Sequence, residues 1–133
     1  MADFRTAIEL VLKHEGGYTA GLAGDPGGET NFGISKRQYP KLDIKNLTKE
    51  AAIEIYRKDY WADWMGELDQ QLANCLLDSA VNQGVGTMVR IRNLAGLRGK
   101  LTLKEFQVQR LIFYAKIGKA DFYHSWFSRV LDV

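Results

Sequence analysis

One cysteine, Cys75, is all the 133-residue chain contains, so no intramolecular disulfide framework holds it together. Long apolar runs are missing too. The longest uninterrupted aliphatic and aromatic stretch, Leu111 to Ala115, has five residues, far short of the ~20 that a membrane helix needs, so no stable membrane insertion is expected. The opening Met-Ala-Asp-Phe-Arg has no basic segment leading into an apolar one, and a secretory signal is not expected. With only His14 and His124 beside the one cysteine, ligand spacing of the zinc kind is absent, and neither a metal nor a cofactor is expected. The glycine-rich stretch 27–33 is not followed by Gly-Lys-Ser/Thr and is no Walker loop. Charge of one sign is also scarce. Eighteen Lys and Arg against sixteen Asp and Glu leave +2, which suits an acidic polymer but falls far below the basic footprint of a nucleic-acid binder.

What is present describes an ordinary globular chain. Hydrophobic residues make up 46% and charged residues 26%, and a chain of this length buries roughly two-thirds of its unfolded surface. One domain over 1–133 is expected, with 1–84 and 85–133 reading as two regions of it.

Phe4, Ala7, Ile8, Val11 and Leu12 form a helical stripe behind a candidate N-cap, Asp3, and Gly16-Gly17 ends it. Seven of the thirteen glycines then fall between Gly16 and Ile34. Asp25-Pro26-Gly27 reads as a tight turn, and Thr30, Phe32 and Ile34 alternate as a short strand or hairpin. The rest reads as helix: from Thr48 to about Trp64, around Leu72 to Gly84, from Met88 to Ala95, from Thr102 to Ile117, and from Lys119 to Val130. The expected fold is mainly α, a helical domain with a small irregular or β lobe after the first helix.

Glu15 is the most informative position. It follows Val11 by four residues and Leu12 by three, which puts it on the buried face of the first helix, in the last turn. Burial and the helix dipole both act to raise a carboxyl's pKa there, towards what a general acid needs near neutrality. The glycines that follow open backbone space beside it. The competing reading is a solvent-facing Glu paired with Lys13 or Arg37. Asp25 and Glu29 are candidate second carboxylates, since glycoside hydrolysis needs a pair. An Asp before Pro-Gly is equally a turn residue, and Glu29 equally a solvated loop residue.

Cys75 falls on an apolar stripe and reads as a buried thiol. Tyr18 and the Trp61/Trp64 pair are candidate sugar-stacking residues, or core. No acidic residue lies between Ser79 and Lys104, where Arg90, Arg92, Arg98, Lys100 and Lys104 supply a basic stretch, either a solvated face or a dock for an anionic ligand.

Glu15-Gly-Gly-Tyr18, Asp25-Pro-Gly-Gly28 and Thr30-Asn-Phe-Gly-Ile34 together resemble the glycoside hydrolase family 108 muramidases. Ala52 to Trp61 is similar to that family's Ile-Tyr…Tyr-Trp stretch, and Leu77 to Gly84 to its Asp-x-Ala-Val-Asn-x-Gly helix end. The resemblance implies a lysozyme-like fold and an N-acetylmuramidase, of a phage endolysin or a secretion system, acting on peptidoglycan. Glu15 maps onto the family's catalytic acid. The spacing Glu15, Asp25, Thr30 also resembles the Glu–Asp–Thr set of phage-type lysozymes, in which the Asp and Thr position water. Substrate contacts are expected along the same motifs, at Tyr18, Glu29, Asn31, Tyr56, Trp61 and Asn82. The family's Asp-Gly-x-x-Gly-Pro-x-Thr segment, associated with wall binding, is shortened here to Arg98-Gly-Lys-Leu-Thr102. The resemblance further implies a monomer made in the host cytoplasm that reaches the periplasmic wall by a holin-type or other non-standard route. Three rivals stay open: a lytic transglycosylase using one Glu, a wall-binding protein without turnover, and a helical nucleic-acid binder.

Overall fold

Three side chains set where helices begin. Asp3, Thr48 and Thr102 each accept a hydrogen bond from the backbone N–H three residues on, at Thr6, Ala51 and Glu105, which satisfies a donor that the first helical turn leaves open. The computed structural model describes residues 1–21 and 28–133. In chain order these form α1 (Phe4–His14), β1 (Thr30–Asn31), β2 (Ile34–Ser35), α2 (Lys49–Asp59), a 3-10 helix (Asp63–Glu67), α3 (Gln70–Gln83), α4 (Val85–Ala95), α5 (Leu103–Ile117), a 3-10 helix (Ala120–Phe122) and α6 (Tyr123–Asp132). The fold is mainly helical with a small two-stranded lobe after α1.

Several boundaries differ from the sequence reading. α2 stops at Asp59, five residues early, because the N–H groups of Tyr60 and Trp61 both turn back onto the Tyr56 carbonyl. Trp61 then packs edge-on against Phe4, with ring centroids 5.4 Å apart. α4 starts at Val85 rather than Met88, since Gly84, at φ +95°, redirects the chain and its carbonyl accepts from the Met88 N–H. The last helix begins at Tyr123, the residues before it winding as 3-10.

α3 is the central element. Every residue from Leu72 to Ala80 is buried, so this helix has no solvent face over more than two turns. Leu77 joins Phe4, Ile8, Val11, Ile53 and Tyr56 in one apolar cluster. Cys75, Leu76 and Ala80 join Met88, Ile91 and Phe106 in another. In the lobe, β1 and β2 pair antiparallel with Thr30 opposite Ser35 and Asn31 opposite Ile34. The turn between them has positive φ at both residues, Phe32 at 52° and Gly33 at 78°, the twist that a two-residue hairpin favours.

A helix buried all round still carries Asp78, whose side chain is wholly buried and bonded at 2.9 Å to the equally buried Arg110 of α5. A carboxylate in such a place must have a partner. Removing one partner of a buried pair strands the other charge, at a cost of about 3–5 kcal/mol. Arg110→Met, close in volume, is therefore expected to lower unfolding free energy by about 3 kcal/mol or more. Urea titration followed by circular dichroism checks this; a loss below about 1 kcal/mol would remove the pair from the fold's essential contacts.

Candidate active site

The chain leaves α1 at His14, and Glu15 is the capping residue in extended conformation, φ −95° and ψ 139°. The sequence placed it inside the last turn. It lies instead one step beyond, where the backbone opens and turns the side chain towards the lobe. The side chain is 19% exposed, and its Oε1 accepts from Arg129 Nη2 of α6 at 2.9 Å. Its other oxygen rests on the hairpin turn: a Cβ built at Gly33 would stand 2.7 Å from Oε2 and 2.5 Å from the Tyr56 hydroxyl. Only glycine fits there, by conformation and by space. Tyr56, buried on α2, donates its hydroxyl to the Phe32 carbonyl at 2.7 Å. Burial, with the Glu15 carboxylate adding to it, pushes the Tyr56 phenol well above its ordinary value, so it stays protonated and keeps that bond.

Beside Glu15 opens a groove of about 300 Å³, lined by Leu12, Lys13, Glu15, Gly16, Gly17 and Phe32 among others. Among the described residues, no atom beyond the chain neighbours stands within 4 Å of where side chains at Gly16 and Gly17 would begin. A second groove, about 440 Å³ between Trp64, Arg92 and Leu97, has no carboxylate among its lining residues and lacks the means for acid chemistry.

Behind Glu15 runs an ionic chain that the sequence reading did not foresee. Arg129 Nε donates to Asp78 Oδ1 at 2.9 Å while its Nη2 serves Glu15. Arg110 holds the other Asp78 oxygen at 2.9 Å and donates from Nε to Gln83 Oε1. The sequence signal was Asp78 itself, the lone carboxylate between Leu72 and Ala80 beside the apolar Cys75, Leu76 and Leu77. Cys75 lies against Arg110, and burial pushes its thiol up, which suits an inert core residue rather than a nucleophile.

The remaining expected site residues are spread out. Asp25 lies outside the described residues. Thr30 pairs with Thr19 through hydroxyls 2.8 Å apart and through both backbone bonds. Tyr18 donates to Glu29 at 2.8 Å. Asn31 is buried, its amide group donating to the carbonyls of Ile44, Lys45 and Leu47, which ties the lobe to the loop before α2. Trp61 is half-buried against Phe4. Asn82 is exposed near the end of α3 and accepts from the Tyr114 hydroxyl. The structure thus brings Glu15, Tyr56 and the Phe32–Gly33 turn together, and packs half-buried Trp61 against the core. Of the basic stretch, Arg90, Arg98, Lys100 and Lys104 are exposed, while Arg92 lies 4.7 Å over the Trp64 ring.

Among the described residues no cluster of His, Cys, Asp and Glu has the makings of a metal site. No helix among them is long and apolar enough to cross a membrane.

The family model described as Glycosyl hydrolase 108 matches residues 8–84, a span that includes Glu15, the hairpin and most of α3. A solved structure of SagA from Brucella abortus is similar over 96% of this chain and 88% of its own, at a TM-score of 0.73 and 27% identity. No curated protein matches the chain.

Gly33 is the sharpest local test of this geometry. Gly33→Ala adds a Cβ at φ +78° between Glu15 and Tyr56. The backbone conformation alone costs about 1–2 kcal/mol, and the close contact adds to it. Urea titration of the variant should show at least that loss; a melt indistinguishable from the unmodified protein would mean the turn does not press on Glu15.

Proposed function

Because the chain belongs to the glycosyl hydrolase 108 family, we propose that it is a peptidoglycan hydrolase, an N-acetylmuramidase that cleaves the β-1,4 bond between N-acetylmuramic acid and N-acetylglucosamine. The observation that carries the reading is the Glu15 carboxyl: part-buried, held from one side and open to a groove between α1 and the lobe. In this mechanism Glu15 protonates the glycosidic oxygen as the bond breaks, which lowers the cost of expelling the leaving sugar. The proton rides on Oε2, since Arg129 takes Oε1. Asp25 and Thr30 handle the attacking water, with Tyr18 and the lobe forming one wall of the sugar site.

On the same reading the whole chain acts as one monomeric unit on the periplasmic wall, released from a cytoplasm by a holin-type or other non-standard route, in a phage or a secretion system. The exposed cations of the basic stretch help it adsorb to that anionic polymer.

Glu15→Gln preserves shape and still accepts from Arg129, so it should fold normally and release no reducing ends from purified peptidoglycan. Activity within a few-fold of the unmodified chain would sink the assignment. Asp25→Asn is expected to lower turnover roughly a hundredfold, the scale of a lost general base, while Glu29→Gln is nearly silent. A melting curve for each separates a lost turn from a lost base. The opposite ranking in folded variants would transfer the water-handling role to Glu29. Silence at both, with 1,6-anhydro ends in the products, would identify a transglycosylase.

Neutralising Arg90, Arg98 and Lys100 together should weaken adsorption to sacculi, most visibly at low salt where screening is least, and leave cleavage of short soluble fragments unchanged. Equal adsorption at low ionic strength would make the stretch a plain solvated face.

A further inference from the structure

We infer that Arg129 is a positioning residue for the acid: it fixes the Glu15 carboxyl by spanning from it to the buried carboxylate of Asp78. The inference rests on the reading of Glu15 as the proton donor.

Glu15 has little local support. It stands one residue beyond α1, in extended backbone, and two glycines follow it. A glutamate so placed has three side-chain torsions to fix and no helical neighbour to fix them. Its hold comes from distant parts of the chain. Tyr56 of α2 and the Gly33 turn bound Oε2, and Arg129, 114 residues away in sequence, takes Oε1 at 2.9 Å. The guanidinium itself is fixed. Only 13% of the Arg129 side chain is exposed, and its Nε meets both Asp78 oxygens, at 2.9 and 3.2 Å. Asp78 in turn cannot move, being wholly buried with Arg110 on its far side. A planar fork whose Nε and Nη2 both meet Asp78, while Nη2 also meets Glu15, defines both its own plane and where Oε1 lies.

The helix that delivers Arg129 rests on α5, where Trp126 stacks on Tyr114 with ring centroids 4.9 Å apart. Val130 alone is buried among the described side chains of α6. Apart from Arg129, its link to the end of α1 is Asp132, 3.1 Å from His14. Arg129 does not reach the reacting atoms and stays charged throughout, so it works through Glu15. Loss of such a hold matters because a displacement of about 1 Å at the reacting group costs on the order of a hundredfold in rate.

The test uses Arg129→Gln and Arg129→Lys in the full chain. Folding is followed by circular dichroism, and turnover by reducing ends released from purified peptidoglycan sacculi. In Arg129→Gln, kcat is expected to fall roughly a hundredfold with KM little changed. A loss of packing alone would lower the folded fraction without that split between kcat and KM. Arg129→Lys restores the charge, but its single ammonium does not span two carboxylates as the fork does, so kcat recovers only in part. A folded Arg129→Gln with unchanged kcat overturns the inference. Should that variant fail to fold, Arg129→Lys decides: reduced kcat supports the spanning role, full kcat overturns it. An active Glu15→Gln removes the parent reading whatever Arg129 does, whereas an inactive Glu15→Gln beside a fully active Arg129→Gln removes this inference alone.

Discussion

Asp78 is the constraint on which the rest is arranged. It sits on the one helix with no solvent face over 72–80, where an unpaired carboxylate is untenable. The chain answers with Arg110 from α5 and Arg129 from α6, 32 and 51 residues away. Glu15 completes the set, so two acidic side chains meet two guanidiniums. Such a network adds little stability over an apolar core of equal volume. What it does add is geometry: α6 packs on α5 through Trp126 and Tyr114, and Arg129 ties that helix to α3 and to the end of α1.

The lobe is fastened by a different logic. Asn31 spends its amide on three carbonyls of the loop before α2, and the Tyr56 hydroxyl takes the Phe32 carbonyl. Both are buried polar groups whose partners are backbone atoms, which fix position without adding charge. Between those anchors the positive φ of Phe32 and Gly33 lets the backbone approach the Glu15 carboxyl with no side chain in the way. The glycine thus serves the site as much as the turn.

Local rules were legible in the sequence, and long-range ones were not. Asp3, Thr48 and Thr102 announce their helices because a cap is a contact over three residues. Gly84 announces an end for a similar reason. Alternation at Thr30, Phe32 and Ile34 leaves a short strand or a hairpin open, and the positive φ of Phe32 and Gly33 makes it a hairpin with its turn at those two residues. Glu15 was found by its spacing from Val11, yet its side chain is steered by α6, α2 and the lobe rather than by the dipole of its own helix. Trp61 and Asn31 looked like ligand groups, as aromatic and amide side chains in motifs do. Only the fold reveals that Trp61 meets Phe4 and that Asn31 meets the loop at 44–47. No periodicity carries the pairing of residue 15 with residue 129.

A guanidinium beside a proposed proton donor looks self-defeating, and the sharing with Asp78 resolves the difficulty. A cation devoted to Glu15 alone would favour its charged form, the wrong state for giving up a proton. Arg129 instead turns its Nε to Asp78, the drier of the two carboxylates, fully buried where Glu15 is 19% exposed. Charge attraction strengthens as water is excluded, so Asp78 holds the larger part of the guanidinium's field, and Glu15 receives a directional bond at one oxygen. The arrangement separates two tasks that a simple ion pair would merge. On the proposed mechanism one oxygen is held in place by Arg129 and the other carries the proton.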